Sequence, residues 1–310
     1  MKEEISFFAS EPSKCGLEVF VRTKTEPLMK KMAFHEGLKN NLYTSLKEMV
    51  IDILQEKYLS SDAEYVSADQ IADNQHKFYI VDQTDEYKPF AFLDSEPGKF
   101  SQKDIADATA IIFKLEREGK SLWLYQQLWS MMIPNKSKKG LMARITRIET
   151  GDYFEEMSDP LITIAKKVDL LVIDEHIIIT DPSILQRFFG FHDYIRIRAD
   201  RTISNVVATG IVSNIDKLSE YCNRGHGQAT YAKKLMRIAD SEVLRMPKDL
   251  LMEKIHESSR WNGKIPEENG RFVLKTYGDV EALIDLLDER YTRSDITGTE
   301  YDTGVKKEAE

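Results

Sequence analysis

Val168-Asp-Leu-Leu-Val-Ile-Asp-Glu-His-Ile-Ile-Ile-Thr-Asp181 holds two short apolar runs, Leu170-Leu-Val-Ile173 and Ile177-Ile-Ile-Thr180, on either side of a polar triplet. Runs of this length, rich in β-branched residues, favour extended backbone, and a polar break is what a tight turn needs, so the stretch predicts a β-hairpin. Beyond Asp181-Pro182 the pattern becomes mainly helical as far as about Ser259. Arg271-Phe-Val-Leu-Lys275 then reads as a strand and Asp279 to about Arg290 as a helix. Helices gathered after strands favour an α+β fold over a doubly wound sheet.

Upstream of the hairpin the chain mixes both patterns. Glu18-Val-Phe-Val-Arg22, Lys77-Phe-Tyr-Ile-Val-Asp82, Ser121-Leu-Trp-Leu-Tyr125 and Leu141-Met-Ala-Arg-Ile-Thr-Arg-Ile148 read as strands. Between Pro27 and about Tyr58 the apolar positions Leu28, Met32, Leu38, Leu42, Leu46, Met49, Ile53 and Leu54 recur at helical spacing, with Gly37 as a possible break. Ser101-Gln-Lys-Asp104 has the form of an N-cap with an acidic N3 residue, and it predicts a helix through Ile105, Ala108, Ile112 and Leu115 that stops near Gly119. The expected architecture is a mixed N-terminal α/β region, a strand-rich middle and a mainly helical C-terminal region. Thr150-Gly-Asp152 supplies a turn signal between separable patterns, which suggests an N-terminal α/β domain over 1–150 and a C-terminal domain, strand hairpin then helices, over 151–310. The tail from Thr303 is polar, and fraying is expected there.

Composition narrows the function classes. Of 310 residues 42% are apolar and 31% charged, too apolar for a disordered chain. Cys15 and Cys222 lack the spacing of a zinc or redox pair. The opening residues carry no signal-peptide core, and no window approaches the roughly 18–20 apolar residues that span a bilayer. A cytoplasmic protein is the expectation, held at a membrane only through another chain. The net charge of −9 argues against a histone-like protein coated in positive charge. The acidity is concentrated in residues 1–132 and 279–310, and the remainder carries a net charge of +3.

Within that positive region three basic groups stand out. From Ile133 to Ile148 there are five basic residues and no acid: Lys136, Lys138 and Lys139 in a predicted loop, then Arg144 and Arg147 on a predicted strand, where the odd separation turns the two arginines to opposite faces. Such a loop either contacts nucleic-acid phosphates or is a solvated hairpin end. Lys233, Lys234 and Arg237 lie on a predicted helix with a basic face beside an apolar one. Arg196, Arg198 and Arg201 would share a strand face in part, or splay on a helix. A solvated or salt-bridged surface remains the alternative for both.

An enzymatic reading has one candidate. Asp169, Asp174, Glu175 and His176 cluster in sequence, loosely as in a nuclease that holds Mg²⁺, but the lysine expected two residues after the acid is missing and a turn accounts for the same letters. Phosphate-binding, hydrolase and zinc-protease signatures are absent from the sequence. No catalytic residue, metal ligand or cofactor site is assigned. Arg224-Gly-His-Gly227 could form an anion-binding turn or simply a loop, and Trp123, Tyr125 and Trp129 alternate with leucines in a way that favours core packing over base stacking.

The stretch 168–181, followed by Gln186-Arg-Phe-Phe-Gly-Phe-His-Asp-Tyr-Ile195, Ala239-Asp-Ser-Glu-Val-Leu244 and Asp295-Ile-Thr-Gly-Thr-Glu-Tyr-Asp302, resembles the KwaB family of the bacterial Kiwa anti-phage system over about the last two thirds of the chain. The resemblance implies a DNA-binding protein that an inner-membrane KwaA-like partner recruits so that phage DNA replication and late expression are hindered; the reading that follows is a homodimer that binds double-stranded DNA through its phosphates. It implies no contacting residue, so Lys136, Lys138, Lys139, Arg144, Arg147, Lys233, Lys234 and Arg237 rest on charge and spacing. The rivals are a metal-dependent nuclease and a scaffold that binds no DNA.

Overall fold

A computed structural model describes residues 1–34, 36–67, 77–129, 132–133, 143–148, 151–156, 162–224, 230–239, 241–289, 291–293 and 300–302. They fall into two compact units, one within residues 1–66 and 75–184 and the other within 67–74 and 185–310. The fold is α+β, as the hairpin and the helices after it imply.

The first unit runs through helix α1 (Lys2–Ala9), strands β1 (Gly16–Thr23) and β2 (Met29–Lys31), helix α2 (Glu36–Ile53), then β3 (Glu64–Ser67), β4 (Lys77–Asp82), β5 (Gly98–Lys99), β6 (Ala108–Arg117), β7 (Lys120–Gln127), β8 (Ala143–Ile148), β9 (Gly151–Glu156), β10 (Leu170–Ile173) and β11 (His176–Ile179). Nine of these strands form one sheet in the order β3-β4-β11-β10-β7-β6-β1-β2-β5, while β8 and β9 make a separate hairpin. The predicted 168–181 hairpin is β10–β11, with Ile173 opposite His176 and Asp174-Glu175 as its turn.

Strand alternation divides this sheet into two apolar faces. On the first, Leu122 and Leu124 of β7, Phe113 and Leu115 of β6 and Val19 and Val21 of β1 pack with Ile5 and Phe8 of α1 and Val50 and Leu54 at the end of α2. Each such fully buried side chain contributes about 1.5–3 kcal/mol relative to exposure. The second face presents Phe20, Ile112, Tyr125, Val172 and Ile177, all buried, and the segment after β4 lies over part of it, with the Phe90 ring 5.9 Å from Tyr125.

Two helix expectations are corrected. The capping box at Ser101 and Asp104 is real, but it opens only a 3-10 turn (Gln102–Asp107), and Ala108–Arg117 is then a strand. β6 lies between β1 and β7 and is buried on both sides along most of its length, so its apolar residues run together and imitate a helical stripe. Met29–Lys31 is likewise a strand, because its backbone pairs with Phe20–Arg22 of β1; the helix that Pro27 was expected to start begins at Glu36. The chain continues from α2 into one π-helical turn, Leu54–Tyr58.

The Asp104 carboxylate also tethers β2. It accepts the Ser101 backbone N–H at 2.7 Å and the Lys30 ammonium at 2.6 Å. The Lys30 hydrogen bond, with those from Ser101, lowers its pKa from 3.8 to about 2. Because the folded value is the lower one, the interaction stabilises the fold fully above the unfolded value and is lost as pH falls through the folded one. Urea midpoints measured between pH 3.8 and 2 are therefore expected to fall less steeply for Asp104→Asn than for the parent; parallel curves would remove Asp104 from the acid response.

The second unit is mainly helical. The short helix α3 (Ser183–Phe188) leads to α4 (Phe191–Thr209), α5 (Asp216–Cys222), α6 (Thr230–Arg237) and α7 (Lys248–Glu257), then to the two-residue strands β12 (Glu267–Glu268) and β13 (Arg271–Phe272), to α8 (Tyr277–Leu287), and to the small pair β14 (Tyr291–Arg293) and β15 (Glu300–Asp302). Ile195, Ala199, Ile203 and Val206 give α4 a buried stripe at helical spacing. Thr276 and Asp279 close a capping box at the start of α8, an arrangement worth about 1 kcal/mol. The strand expected at 271–275 is limited to Arg271-Phe272.

Candidate nucleic-acid interface

The segment that contains the basic stretch is anchored at two neighbouring points of the first unit. Ile133 is buried in the first-face core, Ile162 packs against that core, and the Thr163 N–H donates to the Met132 carbonyl at 2.9 Å. The intervening chain is therefore tied at both ends. Lys136, Lys138 and Lys139 lie outside the described residues. Arg144 and Arg147 are on β8, whose register with β9 sets Glu155 opposite the first and Asp152 opposite the second. An acid directly across a ladder offsets a basic partner's charge, so the two arginine positions add less net charge than the β8 sequence by itself suggests.

Three further lysines stand near the point of re-entry. Lys166 lies 3.1 Å from Asp52 and 3.2 Å from Glu56, and these hydrogen bonds raise its pKa. Lys167 reaches the Asp169 carboxylate at 2.8 Å. Lys57, on the π-helical turn, stands 5.4 Å from the centroid of the Tyr58 ring. Burial lowers its pKa, and the charge of Lys167 acts in the same direction against that of Asp169. None of these lysines is among the basic groups that stand out in the sequence: adjacency in the chain could have marked the Lys166-Lys167 doublet, but not its neighbour Lys57, because more than a hundred residues separate them.

The four residues of the nuclease reading are not brought together. Asp169 is 3% exposed and accepts the Gln127 backbone N–H at 2.8 Å, and its own N–H donates to the Tyr125 carbonyl at 2.9 Å. Asp174 and Glu175 are exposed at the other end of β10, about 16 Å from Asp169 at a strand rise of about 3.3 Å per residue. His176 makes a 2.7 Å hydrogen bond with Asp82. Among the described residues no group of three or more His, Cys, Asp or Glu side chains could hold a metal ion.

In the second unit, Lys234 is engaged internally: its ammonium lies 3.1 Å from the Tyr221 hydroxyl and 3.5 Å from Glu281. Lys233, its neighbour on α6, is half-buried, and burial lowers its pKa. Arg237 ends α6, and its side chain is outside the described residues. Arg196, Arg198 and Arg201 are on α4, so they splay around a helix, and the first and third are exposed. Arg224 stacks 4.6 Å from the Tyr277 ring centroid, while Gly225, His226 and Gly227 are outside the described residues. Tyr125 is buried, Trp123 half-buried and Trp129 41% exposed, so core packing accounts for the first two.

No helix among the described residues is long and apolar enough to cross a membrane. A family model described as Kiwa protein KwaB-like matches residues 105–297, well over half of the chain. No curated protein and no solved structure matches it.

Proposed function

The chain belongs to the Kiwa KwaB-like family and is thus a component of an anti-phage defence system; from that premise we propose that it acts by binding double-stranded phage DNA through backbone phosphates, with little base specificity. The observation that carries this reading is the acid-free basic stretch 133–148, the first half of a segment that is tied to the first unit at Met132 and Thr163 and whose second half carries acids. A loop closed at both ends loses less freedom when it meets a duplex than an open tail does, and its lysines neutralise phosphates whatever the sequence. Lys136, Lys138 and Lys139 are the principal contacts in this proposal. Arg144 and Arg147 follow, and Lys233, Lys234 and Arg237 form a second patch reduced by the internal engagement of Lys234. A KwaA-like inner-membrane protein is the proposed recruiting partner and a homodimer the proposed state. A chain that is acidic overall with one regional basic surface stays off the host chromosome more readily than a uniformly basic one.

The test is a gel shift and cleavage assay on linear duplex DNA, in Mg²⁺ or in EDTA, across a salt series. Retained, uncut DNA whose binding falls steeply with salt is expected. Mg²⁺-dependent cutting would replace this reading with a nuclease, and no shift at low salt would replace it with a scaffold.

A further inference from the structure

At the end of the large sheet that carries the β6–β7 and β10–β11 turns, the second face opens into a cleft of about 440 Å³. That volume is in the range of small-molecule sites. Trp123 and Val172, opposite each other across the β7–β10 ladder, line its base. One wall is the β6–β7 turn, another is the Asp174-Glu175 turn, and the segment from Gln83 to Asp94 supplies a third. None of these residues belongs to the basic stretch, so the cleft is separate from the proposed DNA contacts.

The charges in the cleft are unevenly committed. Lys88 is held 3.0 Å from Asp85, outside the cleft lining. The Lys120 ammonium stands 5.5 Å from the Phe7 ring centroid, and Phe7 belongs to α1, which packs on the opposite face of the sheet. Asp94, Asp174 and Glu175 are exposed and make no side-chain hydrogen bond or ion pair among the described residues. Asp94, Glu175 and Lys88 all line the cleft, and both carboxylates act on the charge of Lys88, so a bound cation would share them with that ammonium. A half-buried indole beside uncommitted carboxylates suits a flat or alkyl cation, which gains from the ring quadrupole and from the carboxylates together.

We propose that this cleft binds an organic cation of the guanidinium or amine class, over Trp123 and between Asp94, Asp174 and Glu175. The cation is either a free small molecule or an arginine side chain of a protein partner; the chemistry is shared and the source is a matter for experiment. The site does not depend on DNA binding.

Calorimetric titration of the full-length protein with agmatine in one arm, and with acetyl-Gly-Arg-Gly-amide in the other, tests the proposal. Saturable binding of at least one probe is expected, weakened at least ten-fold in the double variant Asp94→Asn, Glu175→Gln with its melting temperature unchanged. Trp123→Phe, which keeps a ring, should weaken binding by a smaller factor. Tighter agmatine binding would identify a free cation, and saturation by the peptide without agmatine binding would identify a protein side chain. Absence of saturable heat from both probes, or equal binding by parent and double variant, would overturn the site.

Discussion

Replacing Lys136, Lys138 and Lys139 together by alanine is expected to weaken duplex DNA binding on the order of 10²–10³-fold at 0.1 M salt, equally for all base sequences. Each phosphate neutralised contributes about 0.9 to the slope of log affinity against log salt, so three contacts account for about 2.7 units of that slope. The variant should lose that much slope while keeping its melting temperature, which a thermal melt of both proteins checks. Two separate failures can be told apart. An unchanged slope with intact binding would move the contacts to other basic residues, of which Arg144 and Arg147 come next in the proposal. No binding by the parent protein would remove the DNA-binding reading as a whole.

The second large effect concerns stability. Asp169→Ala is expected to destabilise the first unit by about 3 kcal/mol, because it leaves the buried Gln127 N–H without an acceptor and removes a charge-assisted partner of Lys167. Asp169→Asn keeps an oxygen that can accept the Gln127 N–H and should cost about a third as much. Chemical denaturation of both variants checks the order. If Asp169→Asn were as stable as the parent yet removed a Mg²⁺-dependent cleavage that the parent performs, Asp169 would be a metal ligand instead of a structural anchor. Glu175→Gln, at the exposed turn, is the control and should leave stability within about 0.5 kcal/mol of the parent.

Asp169 also illustrates why the candidate site was only partly legible. In sequence it stands five residues from Asp174, close enough to suggest a shared metal. The fold places an extended strand between them, so the two carboxylates reach opposite ends of the sheet. Conversely Lys57 and Lys167 interact although five sheet strands and a hairpin separate them along the chain.

Features that depend on near neighbours in the chain were legible from the residues alone. The β10–β11 hairpin, strands β1, β4 and β7, the capping box at Ser101, the helical run after Asp181 and the family signatures all follow from residues a few positions apart. Tertiary structure alone decided what depends on a distant partner. Ala108–Arg117 became a strand because β1 and β7 supply ladders on both sides, and Met29–Lys31 because β1 does. It also decided that Asp169 is buried, that Lys234 meets Glu281, and that Trp123 and three carboxylates border one cleft. The physical reason is common to all of these: backbone hydrogen bonds to another strand, and the exclusion of water by packing, are properties of neighbours in space, which local periodicity does not encode.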